Sequence, residues 1–153
     1  MEIERKFIFD GGIDINNLPC ERICQGYISL EPEVRLRKRG RRFYRTEKSK
    51  GDMVREERER EISKEEYELQ ISDAKGILIE KDRYYKEYGK YTVEIDIFFG
   101  ALYGLKICEV EFNTEDEAKS FVPPEWFGTE VTDDSRFKNK NLALSGQIPI
   151  LED

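Results

Sequence analysis

The feature that most constrains this chain is a two-residue alternation of apolar and charged side chains, repeated in short segments separated by turn residues. Successive side chains of a strand point to opposite faces, so such runs read as antiparallel strands with one apolar and one charged face. Strands are predicted over residues 2–9, 25–30, 33–39, 42–48, 54–62, 76–87, 91–98 and 105–112, with tight connections at 39–41, 49–52, 88–90 and 100–104, each containing glycine. Eight strands suffice to close a small barrel. Two capping boxes, Ser63-x-x-Glu66 and Thr114-x-x-Glu117, start helices, the first with Gly76 just beyond its end and the second stopped by Pro123-Pro124. A third helix is expected over 135–144. Residues 10–24, with Gly11-Gly12 and Pro19, read as a loop with a turn of helix. The organisation expected is one domain over 1–145 and a tail over 146–153.

Composition narrows the chemistry. Charged residues make up 39% of the 153, well above the usual ~25%. The 12% of aromatic residues nevertheless argues for a packed core rather than disorder. With 33 acidic and 26 basic side chains the net charge is -7, which opposes general binding to nucleic acid or to an anionic membrane. No apolar run approaches the ~20 residues of a membrane span. The opening Met-Glu-Ile-Glu-Arg-Lys is not a basic segment followed by an apolar one, so a cytoplasmic protein is expected. The chain has no histidine, which removes Ser-His and Cys-His nucleophile pairs, histidine bases and His-rich zinc sites. Cys20, Cys24 and Cys108 lack a fourth strong ligand and read as ordinary cysteines rather than a soft-metal site. Catalysis here would have to use carboxylates, Lys, Arg, Tyr or a hard metal.

Charges that share a strand face carry the remaining information. Glu2, Glu4 and Lys6 fall on one face, opposite Ile3, Arg5, Phe7 and Phe9. Acids pair at i, i+2 on four strands, as Glu2/Glu4, Glu57/Glu59, Glu94/Asp96 and Glu109/Glu111. Bases pair likewise at Arg35/Arg37 and Lys81/Arg83. One reading of this pattern is an open sheet whose charged face is solvated. Like charges side by side, however, destabilise a strand pair unless a counter-charge lies between them. If the charged faces turn inward, they line a lumen suited to a polyanion carrying hard cations. Arg and Lys hold phosphoryl groups, and carboxylates hold Mg2+ or Mn2+.

The ordered motifs resemble those of the triphosphate tunnel metalloenzymes, the CYTH superfamily. Glu2-Ile3-Glu4-Arg5-Lys6-Phe7 is similar to the family's ExExK signature. It is followed in family order by Gln25-Gly26-Tyr27, Arg35-Leu36-Arg37, Thr46-Glu47-Lys48, Arg55-x-Glu57-x-Glu59, Lys81-x-Arg83-Tyr84, Glu94-Ile95-Asp96-x-Phe98, Glu109-Val110-Glu111 and the stretch from Glu130 to Phe137. The resemblance implies a mainly β, α+β fold, a closed eight-stranded antiparallel tunnel with flanking helices. Its implied activity is metal-dependent hydrolysis of inorganic tripolyphosphate, with nucleoside triphosphates as side substrates. By the same resemblance, Lys6, Arg35, Arg37, Lys48, Arg55, Lys81, Arg83 and Arg136 hold the triphosphate. Glu2, Glu4, Glu109 and Glu111 hold Mg2+ or Mn2+, while catalysis falls to Lys6 and Lys48 with Glu57, Glu59 and Asp96, which help to position water. The alternatives are an adenylate cyclase or thiamine triphosphatase of the same superfamily, or a non-catalytic polyphosphate or nucleic-acid module using the basic run 35–42. The expected partner is a small triphosphate, with no membrane and no nucleic acid, on a monomer or homodimer.

Overall fold

In a computed structural model, residues 2–48 and 57–151 are described. Arg55, the start of the strand predicted over 54–62 and the turn at 49–52 lie outside them. Nine strands form one antiparallel sheet: β1 (Ile3–Phe9), β2 (Cys20–Leu30), β3 (Glu33–Arg39), β4 (Arg42–Lys48), β5 (Glu57–Ile62), β6 (Lys75–Tyr88), β7 (Tyr91–Phe99), β8 (Lys106–Phe112) and β9 (Phe127–Glu130). Their spatial order is β5-β4-β3-β2-β6-β7-β8-β1-β9.

The expectation of a closed eight-stranded barrel is corrected: among the described residues, no backbone ladder joins β5 back to β1. The free edge of β1 is taken at its far end by β9, which pairs Phe7 with Glu130 and Phe9 with Phe127. At the near end the curled sheet brings Glu57 of β5 against Glu2, side chain to side chain. The charged faces still point inward, so the solvated open sheet is not what forms.

Three helices cover the sheet: α1 (Lys64–Ile71), α2 (Glu115–Ser120) and α3 (Asn139–Ser145). Ser63 and Thr114 cap α1 and α2 as expected, Ser63 accepting from the Glu66 N–H and Thr114 from the Glu117 N–H. Gly76, beyond the end of α1, lies in β6 as the strand predicted over 76–87 requires, at φ +69°, where an added Cβ would come 2.1 Å from the Ala143 carbonyl oxygen of α3. The helix predicted over 135–144 divides into a 3-10 turn at Ser135–Phe137 and α3. Two further expectations fail, since residues 20–24 extend β2 instead of forming loop, and β9 was not foreseen.

The outer faces of β1, β7 and β8 pack Phe7, Val93, Ile95, Val110 and Phe112 beneath α2, Phe121 and Phe127. A smaller core places Leu36 and Ile62 under Tyr67 of α1. The third core lies inside the curl. Tyr27, Ile79, Phe98 and Ile107, all on inward faces, meet Phe137, Leu142 and Ala143 from the C-terminal segment. That segment plugs one end of the lumen, leaving a charged cup. No helix among the described residues is long and apolar enough to cross a membrane.

Candidate functional site

The inward faces change character along each strand. On β6 the sequence of inward positions is Ile79, Lys81, Arg83, and on β7 it is Phe98, Asp96, Glu94, so charge begins one step above the apolar plug. In that first layer Arg83 forks onto Asp96, Nε to Oδ1 at 2.9 Å and Nη2 to Oδ2 at 3.0 Å. Lys81 Nζ meets the same carboxylate at 2.8 Å. All three are buried. Although burial opposes its ionisation, the two cations hold Asp96 well below the usual carboxylate range. Lys81 moves the other way, pulled down to about 8 by burial, with Arg83 and Arg37 adding repulsion that Asp96 only partly offsets. Arg83 moves up despite its burial, because Asp96 and then Glu94 favour its charge.

Above this layer is a cavity of about 470 Å³ lined by strands on every side. Of the sequence-predicted residues, Glu2, Glu4, Lys6, Arg35, Arg37, Lys48, Glu57, Glu59, Arg83, Glu109 and Glu111 line it. Lys81 and Asp96 do not. They lie beneath its floor, and Asp96, with both oxygens occupied by cations, is placed to support Arg83 rather than to orient water. Arg136 is also outside the lining: its guanidinium forks onto Asp134 and donates to the Ile150 carbonyl.

The cavity has an acidic wall and a basic one. On the acidic side, β1 and β8 pair Glu4 opposite Glu111 and Lys6 opposite Glu109. Glu4 is pushed up to about 8, first by its hydrogen bond with Glu109 and then by burial and the Glu109 charge. Burial pushes Glu109 up too, but the hydrogen bond from Glu4, with Lys6 and Arg83, holds it below its ordinary value, so the pair shares one proton carried by Glu4. Burial and Glu2 raise Glu57, and burial raises Glu94 despite Arg83. Among the described residues, no three or more Asp, Glu, Cys or His side chains are arranged to hold a metal ion.

On the basic side, Arg37 gives Nε to Gln25 at 2.9 Å and is pulled down to about 10 by burial, Arg35 and Arg83. Arg35 reaches Thr46 at 3.3 Å and Glu59 at 3.7 Å, while its buried Nε–H has no acceptor among the described residues. An unpaired buried donor costs about 1–3 kcal/mol, so this wall is built for an anion it does not itself contain. Lys6 Nζ donates to the Phe137 carbonyl at 3.1 Å, tying β1 to the plug.

Sequence reasoning assigned no role to Glu33, Arg39, Glu94, Lys138, Asn139 or Lys140, all of which line the cavity. Glu33 and Arg39 could have been found, since they extend the Arg35/Arg37 face by one step each way. The residues at the start of α3 carried no comparable signal, because they arrive by tertiary packing.

A charged cup of this kind on a curled antiparallel sheet defines a class, and comparison with known proteins agrees. The chain is 42% identical over 151 residues to an inorganic triphosphatase of Nitrosomonas europaea, covering 94% of this chain and 97% of that one. It is 35% identical over 151 residues to an inorganic triphosphatase of Acetivibrio thermocellus, covering 92% of each. The crystal structure of an inorganic triphosphatase superposes with a TM-score of 0.76 at 39% identity, covering 97% of both chains. A putative adenylyl cyclase from Hippeastrum, described as having a dominant triphosphatase activity, shares the fold with a TM-score of 0.63 at 14% identity, over 97% of this chain and 98% of that one. No protein-family model matches the sequence. The chain belongs to the triphosphate tunnel metalloenzymes, in their inorganic triphosphatase branch.

Proposed function

We propose that this protein hydrolyses inorganic tripolyphosphate to pyrophosphate and phosphate, with nucleoside triphosphates as secondary substrates and Mg2+ or Mn2+ as cofactor. The observation that carries this reading is the acceptorless Nε of Arg35, buried in a row of cations that faces a wall of under-compensated carboxylates. A linear polyanion supplies the missing acceptors and relieves the mutual repulsion of Arg35, Arg37 and Arg83.

The donor set fits a hard divalent cation. Glu4 and Glu109 hold a shared proton where a cation would sit, and Mg2+ commonly takes only one or two protein carboxylates, completing its shell with water and phosphate oxygens. Glu2, Glu4, Glu109 and Glu111 would hold it. When bound, the ion supplies charge neutralisation at the phosphoryl oxygens and lowers the pKa of water. Arg35, Arg37, Arg83 and Lys6 fix the substrate, while Lys48 steadies the phosphoryl groups at the β3–β4 side. Glu57 and Glu59 orient the attacking water, and Glu57, with its raised pKa, accepts the proton as the P–O–P bond breaks and pyrophosphate leaves. Arg55 is proposed to join the substrate-binding set from the resemblance alone.

The test is phosphate release from tripolyphosphate, ATP, thiamine triphosphate and pyrophosphate, with Mg2+, with Mn2+ and in EDTA. The expected outcome is metal-dependent turnover with kcat/KM highest for tripolyphosphate and lowest for pyrophosphate. Full activity in EDTA would remove the metal from the account, and preferential formation of cyclic AMP from ATP would replace hydrolysis with cyclisation.

A further inference from the structure

The cavity-facing positions of β3 are Glu33, Arg35, Arg37 and Arg39, one every second residue. At a rise of ~3.4 Å per residue they stand ~7 Å apart, so one strand lays a graduated row along the cavity. The two inner positions keep donors for a ligand. Arg37 is bonded to the uncharged Gln25, and Arg35, though 3.7 Å from Glu59 through its Nη2, keeps a buried Nε–H without an acceptor among the described residues.

The two ends of the row are closed by carboxylates. At one end stands Glu33, with Lys48 Nζ 3.4 Å from one oxygen and Lys140 Nζ 3.8 Å from the other. At the other end Arg39 forks onto Glu21, at 3.0 and 3.2 Å, and Glu21 also accepts from the Tyr85 hydroxyl at 2.6 Å. Glu21 is an inward position of β2, paired in register with Arg83. A site selected only for attraction to phosphate gains nothing from either acid. Glu33 takes up charge of Lys48 and Lys140 where an extending anion would reach them and puts its own carboxylate beside that anion, and Glu21 neutralises Arg39. Repulsion of a wrong partner contributes to specificity alongside attraction to the right one.

We propose that Glu33 and Glu21 are charge stops that fix the length of polyphosphate this site accepts, confining the chain to the stretch served by Arg35 and Arg37. This rests on the reading that the cavity binds tripolyphosphate. Glu33 is a positioning and specificity residue: it repels a further phosphoryl group and holds Lys48 and Lys140 at the boundary.

The experiment measures calorimetric binding of tripolyphosphate and tetrapolyphosphate in EDTA, where turnover is held off, for the wild type, Glu33→Gln, Glu33→Asp and Glu21→Gln. Phosphate release with Mg2+ is followed in parallel. The wild type should prefer tripolyphosphate by about tenfold or more. Glu33→Gln should remove most of that preference and Glu21→Gln part of it, while Glu33→Asp, which keeps the charge, preserves it. A purely structural role would change both affinities together and leave their ratio intact. Should Glu33→Gln fail to fold, the Glu21→Gln ratio decides. Equal wild-type affinity for the two anions, or an unchanged ratio in the Gln variants, would overturn the proposal. Length discrimination without phosphate release would uphold it while refuting the hydrolysis reading, and hydrolysis of both lengths alike would do the reverse.

Discussion

Two charged layers lie one above the other inside the curl, and they are wired in different ways. In the lower layer Lys81 and Arg83 both bond Asp96, and all three are buried. In the upper layer some opposite charges meet, Arg35 and Glu59 at 3.7 Å and Lys48 and Glu33 at 3.4 Å, but Glu4 also meets Glu109, Glu57 meets Glu2, and Arg35 repels Arg37. The difference separates structure from function. The anion shared beneath the floor fixes the position of Arg83, whereas the like charges brought together in the cup are held at a cost to the fold that a bound cation and polyanion would remove. The same contrast explains the opposite shifts of the carboxyls: Asp96 is held down by cations, and Glu4 is pushed up by its hydrogen bond with Glu109.

The largest expected effect breaks the lower layer. Asp96→Asn leaves Lys81 buried without its anion and Arg83 with Glu94 alone, and should destabilise the fold by roughly 3–5 kcal/mol in denaturant unfolding at neutral pH. Its pH dependence has a defined sign. Because the folded pKa of Asp96 is depressed, its contribution is complete above the ordinary Asp range and is lost as pH falls below it. The gap between wild type and Asp96→Asn should therefore close in acid. Unchanged stability would mean that the layer is not structural.

A smaller effect is expected on the basic wall. Arg35→Lys keeps a charge but loses the fork and its buried Nε–H, and should weaken tripolyphosphate binding by about 10–100-fold, as loss of a hydrogen bond to a charged group does, with no loss of stability because the donor it removes is unsatisfied among the described residues. Calorimetric titration in EDTA measures this. An unaltered affinity would place the anion elsewhere.

The two layers were not equally legible in the sequence. Alternation placed both on inward strand faces, and the motif order brought most cavity residues together correctly. It did not give depth. Lys81 and Asp96 read like their neighbours Arg83 and Glu94, and only the apolar Ile79 and Phe98 two positions away mark them as adjoining the plug. Strand β9 escaped for a different reason. Phe127–Glu130 follows two prolines, contains Gly128 and shows no alternation, and it exists because Gly128 lets its backbone approach the Ile8 carbonyl, 3.0 Å from where a Cβ would stand. Whether the sheet closes was likewise not legible: β9 pairs with β1 at Phe7 and Phe9, and among the described residues no ladder joins β5 to β1.

A third test follows the proton that Glu4 shares with Glu109. Glu4 carries a folded pKa of about 8 against an ordinary 4.5, so the folded protein retains a proton that the unfolded chain has released between those values. Stability contributed by that proton is complete below pH ~4.5 and is lost as pH rises through about 8. Denaturant unfolding of metal-free wild type and Glu4→Gln across this window, then repeated with excess Mg2+, is the measurement. The account predicts that wild type loses stability as pH rises, that Glu4→Gln lacks this loss, and that Mg2+ abolishes it in wild type alone. Identical pH profiles for the two proteins, with no response to Mg2+, would contradict it.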